Sequence, residues 1–216
     1  MNIKAFIFDM DGVITDTVPY HYESWKRLSE EENIPFTKED NEQLLGRSRL
    51  DSLRIFLKGK KITPHREAEM LEKKNQYFHE LIKNLNEQDL IPGIKDLLLA
   101  IRKLGLKLSV ASSSKNAKFI ISKLGIAHLF DCIIDGNLVT KAKPEPELFL
   151  KTADCIAVSP CNCIVVEDSA AGVEAALRAN MKVIGIGPEE RVGKATFRYN
   201  NIKEINLTEI LHANQN

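Results

Sequence analysis

Five short apolar runs recur along the chain, at 4–8, 106–111, 132–134, 163–166 and 183–186, and helical patterns separate them. Runs this short, rich in Ile, Val and Phe and without polar alternation, read as strands buried on both faces. The helical patterns lie at 94–104, 117–124, 147–155 and 169–179, the second closed by Gly125 and the last by Asn180. Strand followed by helix followed by strand is the signature of a doubly wound α/β domain with a parallel sheet. Residues 15–87 break the rhythm. They hold amphipathic patterns at 20–32 and 66–85 and no convincing strand, which predicts a helical insert after the first strand. The expected division is a core of 1–14 and 88–216 and an insert of 15–87, with hinges at Thr15-Asp16-Thr17 and at 89–93.

In an open parallel sheet the carboxyl ends of the strands form the ligand crevice. The first run ends in Asp9-Met10-Asp11-Gly12. Residues two apart in an extended segment point the same way, so both carboxylates reach one site, and Gly12 permits the turn that follows. Such a pair can perform phosphoryl transfer, with Asp9 as nucleophile and Asp11 as general acid/base. One D-x-D alone is equally a solvated turn. Three further strand ends decide the matter. Ser112, Ser113, Ser114, Lys115 and Asn116 follow the second run and offer hydroxyls and amides to phosphate oxygens. Lys143, in KAKPEPELF, offers an ammonium against phosphoryl charge, and Glu167-Asp168 offers hard oxygen ligands for Mg2+ beside Asp9.

Other classes of function find little support. Thirty basic and thirty acidic residues cancel, and no basic block with interleaved aromatics is present, so neither a nucleic-acid nor a membrane partner is expected. Small molecules are the expected partners of a cytoplasmic protein, without a secretory segment. Cys132, Cys155, Cys161 and Cys163 are accordingly expected as reduced thiols. Cys161-Asn162-Cys163 is spaced too tightly for a zinc knuckle and lacks a nearby histidine. Within 185–195, Glu190 replaces the third glycine of a dinucleotide fingerprint, and the approach to Gly193-Lys194 is one residue too long for a P-loop. Neither NAD nor ATP is indicated.

DMDGV at Asp9, Ser112, Lys143 in KPEPELF, and Glu167-Asp168-Ser169 followed by Ala171-Gly172 resemble the haloacid dehalogenase superfamily over nearly the whole chain. Within it, FDMDGVITDT, His21 and NEQLLGRSRLDSL are similar to the β-phosphoglucomutases. The resemblance implies a Rossmann-like core with an inserted α-helical cap domain and a phosphorylated Asp9. It implies Mg2+ on Asp9, Glu167, Asp168 and the backbone carbonyl of Asp11, with Ser112 and Lys143 on the transferring phosphate. Arg49, Ser114, Lys115 and Asn116 would grip a second phosphate, and the loop 44–53, with Leu45, Gly46 and Ser52, would meet the sugar. Arg47 departs from the pattern, where a small apolar residue is expected. The activity implied is interconversion of β-D-glucose 1-phosphate and D-glucose 6-phosphate through glucose 1,6-bisphosphate, by a monomer. A sugar-phosphate or phosphoglycolate-like phosphatase is the alternative, and an inactive sugar-phosphate-binding protein a third reading.

The insert has its own rationale, since a bisphosphate needs an anion site facing the nucleophile, which the planar fork of Arg49 suits. Closing the insert over the site would also exclude water from the phosphoenzyme. Thr17, His21 and Trp25 recur every four residues and share a helix face. Trp25 is expected in a core, and His21 is expected to couple closure to Asp11 with Lys74 as its partner.

Overall fold

The computed structural model describes residues 3–44 and 47–213. Six strands, β1 (Ala5–Phe8), β2 (Lys107–Ala111), β3 (Cys132–Ile134), β4 (Cys163–Glu167), β5 (Lys182–Ile186) and β6 (Phe197–Tyr199), form one sheet in the order β3-β2-β1-β4-β5-β6. Every pairing is parallel. The first five match the apolar runs. The sixth was not expected, because a three-residue edge strand reading Phe-Arg-Tyr has no apolar run to announce it.

The pleat divides β1 between two cores. Phe6 and Phe8 face one layer, with Leu98 and Ile101 of α5 (Ile94–Lys103) and Ile120 of α6 (Ala117–Lys123). Ala5 and Ile7 face the other, with Phe149 of α7 (Glu147–Cys155) and Val173 of α8 (Ala170–Arg178). Helices thus cover both faces, which is why these strands carry apolar residues without alternation. The layer of α7 also corrects the expectation of four reduced thiols. Its last turn brings Cys155 to Cys132 on β3, with Cα atoms 6.4 Å apart, and the two form a disulfide. The pair is 23 residues apart in sequence, so only the packing of α7 on β3 reveals it. Cys161 and Cys163 are free thiols.

The insert contains α1 (Val18–Glu32), α2 (Lys38–Glu42), α3 (Arg49–Phe56) and α4 (Pro64–Ile82). Pro64 follows the Thr63 cap, whose hydroxyl accepts from the Arg66 amide, so α4 begins where its sequence dictates. Three of the helices, α1, α3 and α4, share an apolar centre of Trp25, Leu28, Leu53, Phe56 and Met70, with the Trp25 and Phe56 rings 5.0 Å apart. The two chain crossings into the insert lie side by side: the Ile91 amide donates to the Ile14 carbonyl at 2.9 Å, and the Thr15 hydroxyl to the Asp89 carbonyl at 2.7 Å. One helix joins the two bodies, since α4 buries Met70 in the insert but Phe78 and Ile82 in the core beside the sheet.

That continuity makes the insert and core unfold together. Replacing Leu53, which is fully buried in the insert, by Ala should cost about 2–5 kcal/mol through lost burial and a residual cavity. Urea denaturation followed by both tryptophan fluorescence and far-ultraviolet dichroism should show one coincident transition at a lower midpoint, rather than an early separate loss of the insert.

Candidate active site

The chain winds outward from β1 in both directions, with β2 on one side and β4 on the other. The switch point therefore lies between the ends of β1 and β4, where Asp9 and Glu167-Asp168 emerge. The Asp9 amide donates to the Val166 carbonyl at 2.9 Å, which carries the ladder one residue past β1. The chain then turns sharply, with amides of Ile14 and Thr15 donating back to the Met10 carbonyl at 2.9 and 3.2 Å. Gly12 sits in this turn at φ +80, and a Cβ there would collide with the Asp168 carboxylate. Gly172 has the same restriction toward the Glu167 carboxylate.

Lys143 is the centre of the cluster. Its ammonium donates to Asp9 Oδ1 at 2.6 Å and also to Glu167 Oε1, with all three side chains buried. Burial alone would depress Lys143, but the charges of Asp9 and Glu167 reverse this and hold it above the usual lysine range. Glu167 Oε2 accepts from the Ser169 amide at 2.7 Å and hydroxyl at 2.9 Å. Burial raises Asp9 well above the usual carboxylate range, with Lys143 opposing. Asp168 is pushed up to about 7 by burial and by Glu167, with Arg191 opposing. Asp11 is raised by burial, against a hydrogen bond from the Thr17 hydroxyl to Oδ1.

Asp9, Glu167 and Asp168 can each present an oxygen within 4.8 Å of the other two. The donor set fits a hard divalent cation: all oxygen, three formal negative charges, and second lone pairs left on oxygens that already accept a bond. This agrees with the Mg2+ expected from the sequence.

A cavity of about 770 Å³ opens between these strand ends and the insert. Asp9, Asp11, Lys143 and Asp168 line it from the core, as do Ser113, Ser114, Lys115 and Asn116. His21, Arg49, Ser52 and Lys74 line it from the insert. Ser112, Thr17 and Glu167 stand behind the wall, each bonded to a residue of it; the Ser112 hydroxyl accepts from the Ser114 amide at 3.0 Å. Leu45 and Gly46 lie outside the described residues.

The expected pairing of His21 with Lys74 is present, with Nδ1 and Nζ 2.7 Å apart and the imidazole stacked on Phe78 at 4.1 Å. Burial, then Lys74 and Arg49, lower His21 well below its ordinary value, which leaves a neutral ring for the ammonium to donate to. Lys74 is itself depressed by burial and by Arg49, with Asp11 opposing. Sequence reasoning missed Asn75, whose side-chain carbonyl accepts from Asn116 Nδ2 at 3.2 Å and so links insert to core. It also missed Arg191 and Lys194, which line the cavity. They follow β5, a further strand end, and that position was the available signal.

A family profile for haloacid dehalogenase-like hydrolases matches residues 3–180. The chain is 38% identical to a β-phosphoglucomutase of Bacillus subtilis over 97% of this chain and 94% of that protein. It is 29% identical to a phosphorylated carbohydrates phosphatase of Thermotoga maritima over 97% of each. The crystal structure of a β-phosphoglucomutase from Clostridium difficile superposes with a TM-score of 0.94 at 37% identity, covering 97% of this chain and 96% of that one.

Two outcomes follow from the charges. Lys143→Ala leaves Asp9 and Glu167 buried together without a counter-ion, and should cost about 3–5 kcal/mol in urea denaturation. Adding Glu167→Gln should recover part of the loss. For His21 the unfolded chain binds the extra proton, so its contribution is intact above the ordinary value of 6.5 and is lost as pH falls below it toward the folded value. Asp168 acts oppositely, because a raised carboxyl favours the folded state at low pH and that advantage disappears as pH rises through about 7. The test is therefore the difference in stability between wild type and His21→Gln from pH 8 to pH 5, roughly the window in which histidine titrates. It should shift against the wild type as pH falls, and a flat difference refutes the buried neutral ring.

Proposed function

Because the chain belongs to the haloacid dehalogenase-like hydrolase family, we propose that it is a β-phosphoglucomutase, interconverting β-D-glucose 1-phosphate and D-glucose 6-phosphate through glucose 1,6-bisphosphate. The observation that carries this reading is a single cavity with a nucleophile-bearing wall and a cation-bearing wall contributed by the insert. Among the described residues, Arg49 has no carboxylate within ion-pair distance, which suits it to an anionic ligand. A sugar with a phosphate at each end matches both walls.

In this mechanism the sugar hydroxyl attacks the phosphorus carried on Asp9 while Asp11 takes its proton, and the bond from phosphorus to the Asp9 oxygen breaks. The bisphosphate turns round, and Asp9 attacks its other phosphorus. The bond to the sugar oxygen breaks, and Asp11 returns the proton to that oxygen. Burial of Asp11 supports this alternation, since a raised carboxyl holds a proton closer to neutral pH. Lys143 opposes the burial that raises Asp9, which favours the ionised form for attack, and it offsets phosphoryl charge. Held by Asp9, Glu167, Asp168 and the Asp11 carbonyl, Mg2+ would supply a hard cation against the phosphoryl oxygens. Lys143 grips the transferring phosphate, with Ser112 behind the wall steadying its loop through the Ser114 amide; Arg49, Ser114, Lys115 and Asn116 grip the other. The cap, residues 15–87, excludes water from the phosphoenzyme, which separates a mutase from the phosphatases of the same family.

Incubation with Mg2+, β-D-glucose 1-phosphate and a trace of the bisphosphate should produce glucose 6-phosphate faster than inorganic phosphate. Prompt phosphate release without isomerisation would identify a phosphatase instead. Asp11→Asn should lower kcat by about 10²–10⁴ while leaving Mg2+ affinity within a small factor, and near-normal turnover sinks the acid/base role.

A further inference from the structure

The segment 185–195, which matches neither a dinucleotide fingerprint nor a P-loop, forms part of the cavity wall through Glu189, Glu190, Arg191, Gly193 and Lys194. Its geometry is built around one contact. Arg191 lies on the short helix α9 (Glu189–Val192), and Nη1 stands 3.9 Å from Asp168 Oδ2. Val192 is fully buried and packs so closely on Gly185 that any Cβ at Gly185 would strike it, which anchors α9 to β5. At Gly187, φ is +117, and a Cβ there would stand 3.1 Å from Arg191 Nη2, so the missing side chain makes room for the guanidinium. Arg198 holds the other end of α9 through Glu189 at 2.7 Å.

The cluster's charges are balanced unequally. Lys143, almost wholly buried, serves Asp9 and Glu167. Among the described residues, Asp168 has only Arg191 within ion-pair distance, and that side chain is 46% exposed. A divalent ion at Asp168 and a guanidinium beside the same oxygen repel each other. We infer that Arg191 is an exchangeable counter-ion of Asp168: it orients the carboxylate before metal arrives, yields to the ion, and weakens metal affinity by its remaining charge. Arg191 is thus a positioning residue that acts through Asp168. The inference rests on the reading of Asp9, Glu167 and Asp168 as a metal site.

The test is calorimetric titration of the metal-free protein with Mg2+, without sugar phosphate, in about 0.15 M salt. A unit charge within several ångströms of a divalent ion at a half-exposed site predicts that Arg191→Gln binds Mg2+ about three- to tenfold more tightly. Arg191→Lys, which keeps the charge, should stay near wild type, and the advantage of the glutamine variant should shrink as salt is raised. Unchanged or weaker binding by Arg191→Gln overturns the counter-ion role while wild-type binding keeps the metal site. Absence of Mg2+ binding in wild type overturns both.

Discussion

Two carboxylates buried side by side repel each other and lose their hydration, and Lys143 between Asp9 and Glu167 is what allows this fold to keep them there. The rest of the site is arranged around that necessity. β1 and β4 must be neighbours for the two carboxylates to meet, and the sheet's winding reverses between them. Gly12 and Gly172 must lack side chains because the carboxylates occupy the space where a Cβ would stand. Ser169 takes up the remaining side of Glu167, so the group least accessible to substrate is also the most firmly held. An apolar replacement of the triad would pack at lower electrostatic cost, so its presence is an argument about chemistry rather than stability.

The opposite sign prevails on the insert. His21 is kept neutral there, while burial depresses both Lys74 and the half-buried Arg49, and the charge of Arg49 depresses Lys74 further. Core and insert therefore have complementary faults. The core holds carboxylates in need of cations, and the insert holds cations in need of anions. Direct pairing across the cleft is absent from the described ion pairs, and the polar link across it is neutral, from Asn116 to Asn75. The cavity remains open between the two walls, and an anionic ligand bound with a divalent cation, as in the proposed reaction, would offset both.

The legible parts of this architecture are those that chemistry places at strand ends. Asp9, Asp11, Glu167 and Asp168 were readable because they close apolar runs, Lys143 because it stands in the proline-stiffened KAKPEPELF segment, and the helices α1 to α4 because amphipathic patterns replace apolar runs there. The unreadable parts depend on tertiary meetings. β6 is an edge strand with a charged middle residue, recognisable only by its pairing with β5. The Cys132–Cys155 bridge forms because α7 lies on β3, which no spacing rule encodes. Arg191 stands in a segment tested only against nucleotide motifs, and its significance arises from Gly187 and Val192 aiming it at Asp168.

The insertion point of the cap ties these features together. The chain passes from Asp11 through Thr17 into α1 without an intervening element of the core. The Thr17 hydroxyl donates to Asp11, the Thr17 carbonyl accepts from the His21 amide at 2.9 Å, and the His21 ring takes the Lys74 ammonium from α4. Asp11 is thereby connected by consecutive hydrogen bonds to the two long helices of the insert, whereas Asp9 is held wholly by the sheet and Lys143. A displacement of the insert would disturb the environment of Asp11 and leave Asp9 in place. The fold separates Asp9, held by the sheet and Lys143, from Asp11, tied to the helices of the insert, so in the proposed reaction the group that would accept phosphorus stays fixed while the group that would exchange a proton is attached to the insert.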